Sequence, residues 1–180
     1  MRKNFYVFLN IDAVLLDPSL NILNSEKSNA KNGATMQFNT VCVEALKFLF
    51  EELTKHYDVN LVISSDWKSD MAQVISALYE HDLMAVKKVE ATRNSSFNIR
   101  GLEIKDYLKD KEDKENFLII DNETTDIVSF VNKDKILKTV SNKDVLNKKQ
   151  IENYLVKLGL MKKGEKNLQD NLVKDELILG

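Results

Sequence analysis

The chain alternates short apolar runs with longer stretches of helical periodicity. Phe5–Leu9 is a run of large apolar residues that stops at Asn10 and Asp12 and resumes with Val14 and Leu15. Such a run, with aromatic and β-branched members, suits a strand buried on both faces. Val59–Ile63 and Phe117–Ile120 repeat the signature, and Leu83–Val89 and Lys135–Val140 carry weaker versions of it. Between them, Thr40–Lys55 places Val41, Ala45, Leu46, Phe48, Leu49 and Leu53 on one helical stripe, with Thr40 available as a cap. Trp67–Tyr79 reads as a helix with Ser65 or Asp66 at its start, and Arg100–Leu108 as a short one built on Leu102, Ile104 and Leu108. Asn147–Leu158 is a last helix, facing inward through Ile151, Tyr154, Leu155 and Leu158 and closed by Gly159. Strands alternating with helices predict an α/β fold: a three-layer, doubly wound, mainly parallel sheet.

The polar stretches divide the chain. Pro18–Asn39 is rich in Asn and Ser and reads as a long loop, either functional or an ordinary surface excursion. Ala91–Asn98 is a polar loop and Lys109–Glu115 a charged, solvated turn. Met161–Gly180 begins Lys-rich, then spaces Leu168, Leu172, Val173 and Leu177 loosely as a helix would. That tail either docks, on the domain or on a protein partner, or frays. The expected organisation is one domain over 1–160, with a loop insertion at about 18–39, and a tail over 161–180.

Composition narrows the class without naming a function. A net charge of -2 carries no global field for nucleic acid. The single cysteine, Cys42, rules out an internal disulfide framework and reads as core packing. Arg2 and Lys3 before an apolar run mimic a secretory signal, but Asn10 and Asp12 interrupt the run and no small-residue cleavage site follows. No other stretch is long enough to span a bilayer, so the expectation is a cytoplasmic protein without membrane contact. His56 and His81 stand alone, which gives no zinc pattern, and neither a dinucleotide glycine motif nor a P-loop is present.

The chemistry-bearing residues lie at strand ends, where open α/β sheets place their ligands. Asn10 and Asp12 follow the first strand, Ser64 and Ser65 the second, and Asp121 and Asn122 the fourth. A hydroxyl beside the N–H groups of a helix start suits phosphoryl oxygens, and acids at a strand end suit a hard cation.

Asn10-Ile11-Asp12-Ala13-Val14-Leu15 resembles the first motif of the haloacid dehalogenase (HAD) superfamily of phosphotransferases, Asp-x-Asp-Gly-Val/Thr-Leu. The strand ending in Ser64 resembles the second motif, and Asp121-Asn122 the fourth, in which paired acids hold Mg²⁺. Ile63-Ser64-Ser65-Asp66-Trp67-Lys68 and Arg100-Gly101-Leu102-Glu103-Ile104 are similar to signatures of the HAD domain in multi-enzyme RNA repair proteins, with Lys68 standing for an arginine. Trp67 either stacks on a base or sugar or packs as a lone aromatic.

The resemblance implies a HAD-like Rossmannoid domain over about Phe5–Leu160, with a minimal or absent cap. Its implied site has Asn10 and Asp12 in the catalytic positions and Ser64, Ser65 and Arg100 holding phosphate. Lys105 is the alternative cation, with Lys87 and Lys88 behind it, and Asp126 is a distal acid. Asn10, Asp12, Asp121 and Asn122 would be the Mg²⁺ ligands. The family's nucleophilic aspartate is here Asn10, its glycine is Ala13, and the second acid of the fourth motif is Asn122. An amide carries no full negative charge, so weaker Mg²⁺ binding and little or no phosphoryl transfer are expected. Two readings follow: a degenerate domain that binds a phosphorylated ligand or a protein, and a Mg²⁺-dependent phosphatase acting on a nucleotide or polynucleotide end.

Overall fold

A computed structural model describes residues 2–16, 38–140 and 145–162. The chain divides into two compact units, residues 1–148 and 149–180. The first unit is built on five strands: β1 (Lys3–Leu9), β2 (Tyr57–Ile63), β3 (Lys88–Ala91), β4 (Phe117–Asp121) and β5 (Ile136–Lys138). Its helices are α1 (Thr40–Thr54), α2 (Met71–Glu80) and α3 (Arg100–Lys109). All strand pairs are parallel, in the order β3-β2-β1-β4-β5. The three-layer, doubly wound reading therefore holds. Parallel neighbours cannot be joined by hairpins, so α1, α2 and α3 carry the first three connections, and turns with a 3₁₀ segment carry the one from β4 to β5. The chain winds outward from β1 to β3, then returns to lay β4 against the other side of β1. That reversal opens a crevice beyond the ends of β1 and β4.

β1 is central, and Phe5–Leu9 are all buried, which is why the run is continuous rather than alternating. One sheet face sets Tyr6, Phe8, Val62, Phe117 and Ile119 against Ile104 and Leu108 of α3 and against Ile127. The start of α3 lies so close to the 126–130 segment that only glycine fits. A Cβ at Gly101 would meet the Asp126 carbonyl oxygen at 2.7 Å and Ile127 Cα at 2.9 Å. The glycine after Arg100 is thus a packing requirement that fixes where Arg100 begins its helix.

Several boundaries differ from the sequence expectation, each for a local reason. Asn39, not Thr40, caps α1, accepting from the N–H groups of Val41 and Cys42. Val41 is half exposed and off the core stripe, while Cys42, Val43 and Phe50 are buried on it. The segment after β2 is first a 3₁₀ turn (Asp66–Asp70), and Asp70 rather than Ser65 or Asp66 caps the α-helix, accepting from Gln73 N–H. β3 starts at Lys88. Leu83 is buried, but in the turn that closes α2, where its N–H donates to the Leu78 carbonyl. Three residues of Lys135–Val140 form the edge strand β5, and Lys133–Lys135 is 3₁₀.

α4 (Lys148–Lys157), almost wholly in the second unit, ends in the expected glycine cap. Gly159 has φ +73° and donates to Val156, and Leu160 donates to Leu155, which together satisfy two orphan carbonyls. The loop expected at 18–39 and the tail expected at 161–180 fall, apart from Phe38, Asn39, Met161 and Lys162, outside the described residues.

Candidate active site

β1, β2 and β4 end in register, with Leu9 opposite both Ile63 and Ile120. The ladder continues past the apolar residues. Ser64 N–H donates to Leu9, Asn10 N–H to Ile120, Thr92 N–H to Ile63 and Thr139 N–H to Asp121, each at 3.0 Å. A row of polar side chains therefore crosses the carboxyl edge of the sheet, and Thr92, Ser64, Asn10, Asp121 and Thr139 are all buried. Buried polar groups need partners, and what each finds divides the edge into two halves.

In the β1–β4 half, one atom gathers the contacts. Asn10 Nδ2 lies 3.0 Å from the Asp12 carbonyl oxygen, 3.2 Å from Asp121 Oδ1 and 2.7 Å from Asn122 Oδ1. Asp121 is fully buried, and burial raises its carboxyl pKa. The Arg100 guanidinium opposes that shift by donating to both of its oxygens, at 3.0 and 2.8 Å. Glu123 N–H adds a bond to Oδ1 at 2.9 Å. The chain after Asn10 closes a single turn, with the N–H groups of Leu15 and Leu16 on the Ile11 carbonyl. Ala13 sits in that turn at φ +56°, a left-handed conformation that opposes a Cβ. The Asp12 carboxylate is exposed and accepts from Trp67 Nε1 at 2.9 Å. Trp67 is therefore a hydrogen-bond donor to Asp12, a role that neither stacking nor packing anticipated.

In the β2–α3 half, hydroxyls await a partner. Ser64 Oγ and Ser65 Oγ are buried and have no protein hydrogen bond. Beside them Lys68 forms an ion pair with Glu103 in which both side chains are nearly dry, at 10% and 2% exposure. Glu103 also accepts from Ser95 N–H at 2.9 Å and from the Thr92 hydroxyl. Asp126 serves α3 as a remote cap, taking the Arg100 backbone N–H at 2.7 Å.

The two halves share a small cavity of about 180 Å³, lined by Ser64, Asp66, Lys68, Asn98, Arg100, Glu103, Glu123 and Asp126. Asn10, Asp121, Asn122, Arg100 and Asp126 are joined by direct hydrogen bonds, and Ser64 adjoins Asn10 across the sheet. Lys105 is exposed and borders a separate groove beside Phe117, whereas Arg100 lines the edge cavity together with Lys68. Lys87 and Lys88 are exposed at the start of β3, where Lys87 pairs with Asp58 at 2.8 Å.

The sequence reading gave no role to Glu103, Glu123 or Asn98. A charged residue on the inner stripe of α3, one turn from Arg100, was the available signal for Glu103. Its partner was the cation in the Trp67-Lys68 string.

HAD domains generally use Mg²⁺, and the donor set here does not fit it. Mg²⁺ requires oxygen ligands close to octahedral at about 2.0–2.1 Å. The point on which the three oxygens converge already holds the Asn10 nitrogen, and Asp121 is neutralised by Arg100. Among the described residues no three His, Cys, Asp or Glu side chains are placed to hold a metal ion. No described helix is long and apolar enough to cross a membrane.

Comparison with curated proteins and with solved structures finds no significant match. The family model for the HAD domain in Swiss Army Knife RNA repair proteins matches residues 6–151, well over half of the chain, from β1 into α4. With the parallel sheet, the reversal between β1 and β4 and the motif residues gathered at one edge, the chain belongs to that family of HAD domains.

Proposed function

We propose that this domain holds a phosphorylated group at the carboxyl edge of its sheet and does not transfer it. One observation carries the reading: the residue in the nucleophile's place is an amide whose nitrogen is hydrogen-bonded to Asp12, Asp121 and Asn122. An aspartyl-phosphate needs a carboxylate oxygen free to attack phosphorus, and Asn10 offers none. Phosphoryl binding is supported by the serines at the end of β2 and by Arg100, whose guanidinium also pairs with Asp121. The Ser64 hydroxyl, buried without a protein partner, shares the cavity wall with Arg100, and the Ser65 hydroxyl is also buried without a protein partner but is not part of that wall. Asp66 and Glu123 on the cavity wall oppose an anion, so the affinity is weak. The family's setting in RNA repair proteins supports a nucleotide or polynucleotide end as the ligand class. In this reading the domain is a pseudoenzyme.

A Mg²⁺-dependent phosphatase is the second reading. It is supported by Asp12, whose exposed carboxylate is held by Trp67 and keeps the position of a general acid or base.

Trp67 is the single tryptophan of the chain, so its fluorescence reports on the site directly. A titration with a phosphorylated oligonucleotide should change it saturably, and the unphosphorylated oligonucleotide should not. Phosphate release from an aryl phosphate should be absent for the chain and appear for Asn10→Asp only if the scaffold is otherwise competent. Strong release by the chain itself would show that the nucleophile has been misassigned.

A further inference from the structure

The contacts of Asn10 describe more than a missing nucleophile. Three oxygens from two separate segments, the Asp12 carbonyl, Asp121 Oδ1 and Asn122 Oδ1, surround one terminal atom of this side chain at 2.7–3.2 Å. An oxygen at that point would face three acceptors and be repelled by all of them. Only a donor or a cation is stable there, and an amide N–H₂ is a donor. We propose that the Asn10 amide takes the place of a divalent cation in this domain, so that the site is assembled without metal.

Three features support the substitution. The amide performs the structural task of the ion, tying the turn after β1 to the end of β4. The charge is already balanced: Asp121 is paired with Arg100, and the Asp12 carbonyl and the Asn122 amide oxygen are neutral. Arg100 Nη1 also shares Asp121 Oδ1 with Asn10 Nδ2, so an arriving cation would sit beside a guanidinium and be repelled. Moreover, to admit the ion the amide must turn over and give up all three contacts. Of the acids at this edge, Asp12 bonds Trp67 through its carboxylate, and Glu123 and Asp126 are engaged elsewhere. The Glu123 carboxylate bonds Thr125 and Asp126 bonds the Arg100 N–H. The inference concerns metal alone and stands whether or not a phosphorylated ligand enters the cavity.

The test is a Mn²⁺ titration followed by electron paramagnetic resonance of the free ion, with thermal unfolding in EDTA and in excess Mg²⁺. The chain itself should show no saturable Mn²⁺ binding and the same Tm in both solutions. Asn10→Asp should bind Mn²⁺ saturably, unfold earlier in EDTA because the new carboxylate faces Asp121, and recover in Mg²⁺. Asn122→Asp adds the same charge but keeps the amide in place, and should bind Mn²⁺ more weakly than Asn10→Asp. If Asn10→Asp does not fold in EDTA, the chain and Asn122→Asp still decide. Saturable Mn²⁺ binding and a Mg²⁺-dependent rise in Tm for the chain itself would overturn the proposal. Equal binding by the two variants would also overturn it, because charge alone would then govern the site.

Discussion

The two halves of the sheet's carboxyl edge solve the problem of buried polarity in different ways. At β1–β4 the side chains of Asn10, Asp121, Asn122 and Arg100 bond to one another in a network, and the buried Thr139 hydroxyl beside Asp121 is outside it, with no protein partner. At β2–α3 a nearly dry ion pair, Lys68–Glu103, shares a cavity wall with Ser64, and the hydroxyls of Ser64 and Ser65 have no protein partner. By its resemblance to HAD enzymes the first half would carry the covalent chemistry and the second would hold phosphoryl oxygens, and the buried hydroxyls of Ser64 and Ser65 lie in the second. Of the departures from the motifs that the chain resembles, Asn10, Ala13 and Asn122 belong to β1–β4, whereas Lys68, in place of an arginine, belongs to β2–α3. The contrast shows that one sheet edge can close most of its polar groups on each other at one pair of strands and leave hydroxyls without a protein partner at another, because the two places rest on different elements.

The largest expected effect tests the ion pairs of the two halves against each other. Glu103→Gln should lower stability in urea unfolding by about 3 kcal/mol, because it leaves Lys68 charged and buried. Asp121→Asn should cost less, since Arg100 is one-fifth exposed and can turn toward water. The reverse order would mean that the network around Asp121, not the Lys68–Glu103 ion pair, is the stiffer half.

A smaller and opposite effect is expected at Ala13. Its φ of +56° is unfavourable for any residue with a Cβ. Ala13→Gly should therefore raise stability by about 0.5–1 kcal/mol, the relief of left-handed strain exceeding the added chain entropy. A loss in the same urea measurement would show that the turn after β1 is not strained.

The smallest effect concerns the seating of α3, on which the β2–α3 half depends. Tyr107 is pushed well above the ordinary tyrosine range by burial and by its hydrogen bond to Glu90. Above about pH 10 an unfolded tyrosine loses its proton while folded Tyr107 keeps it, so the native state binds more protons. Stability should accordingly fall as pH rises past that value, and Tyr107→Phe should flatten the slope. An ultraviolet titration in which all five tyrosines ionise together would contradict this.

Much of this molecule was legible in the order of its residues. Continuous apolar runs gave β1, β2 and β4 because strands buried on both faces tolerate no polar alternation, and the polar residue after each run located the site. The edge strands were harder: β3 and β5 are short and half-buried, so their apolar signal is diluted, and their limits were set by pairing with β2 and β4. Capping misled for a similar reason, because Asn39 and Asp70 competed with equally plausible neighbours until backbone geometry chose between them.

Only the tertiary structure could decide what the polar residues do to one another. The sequence put an amide, Asn10, after the first strand, at the position where its resemblance to the HAD motif implies a carboxylate. It did not establish that this amide's nitrogen lies among three oxygens, since two of those come from residues 121 and 122, brought close by the β1–β4 register. The pairing of Lys68 with Glu103, and of Trp67 with Asp12, likewise joins residues from separate elements. Periodicity determines which side of an element is buried, because that choice is local. Which charge meets which donor is fixed by how the elements pack, because hydrogen bonds act over a few ångströms and have no memory of distance along the chain.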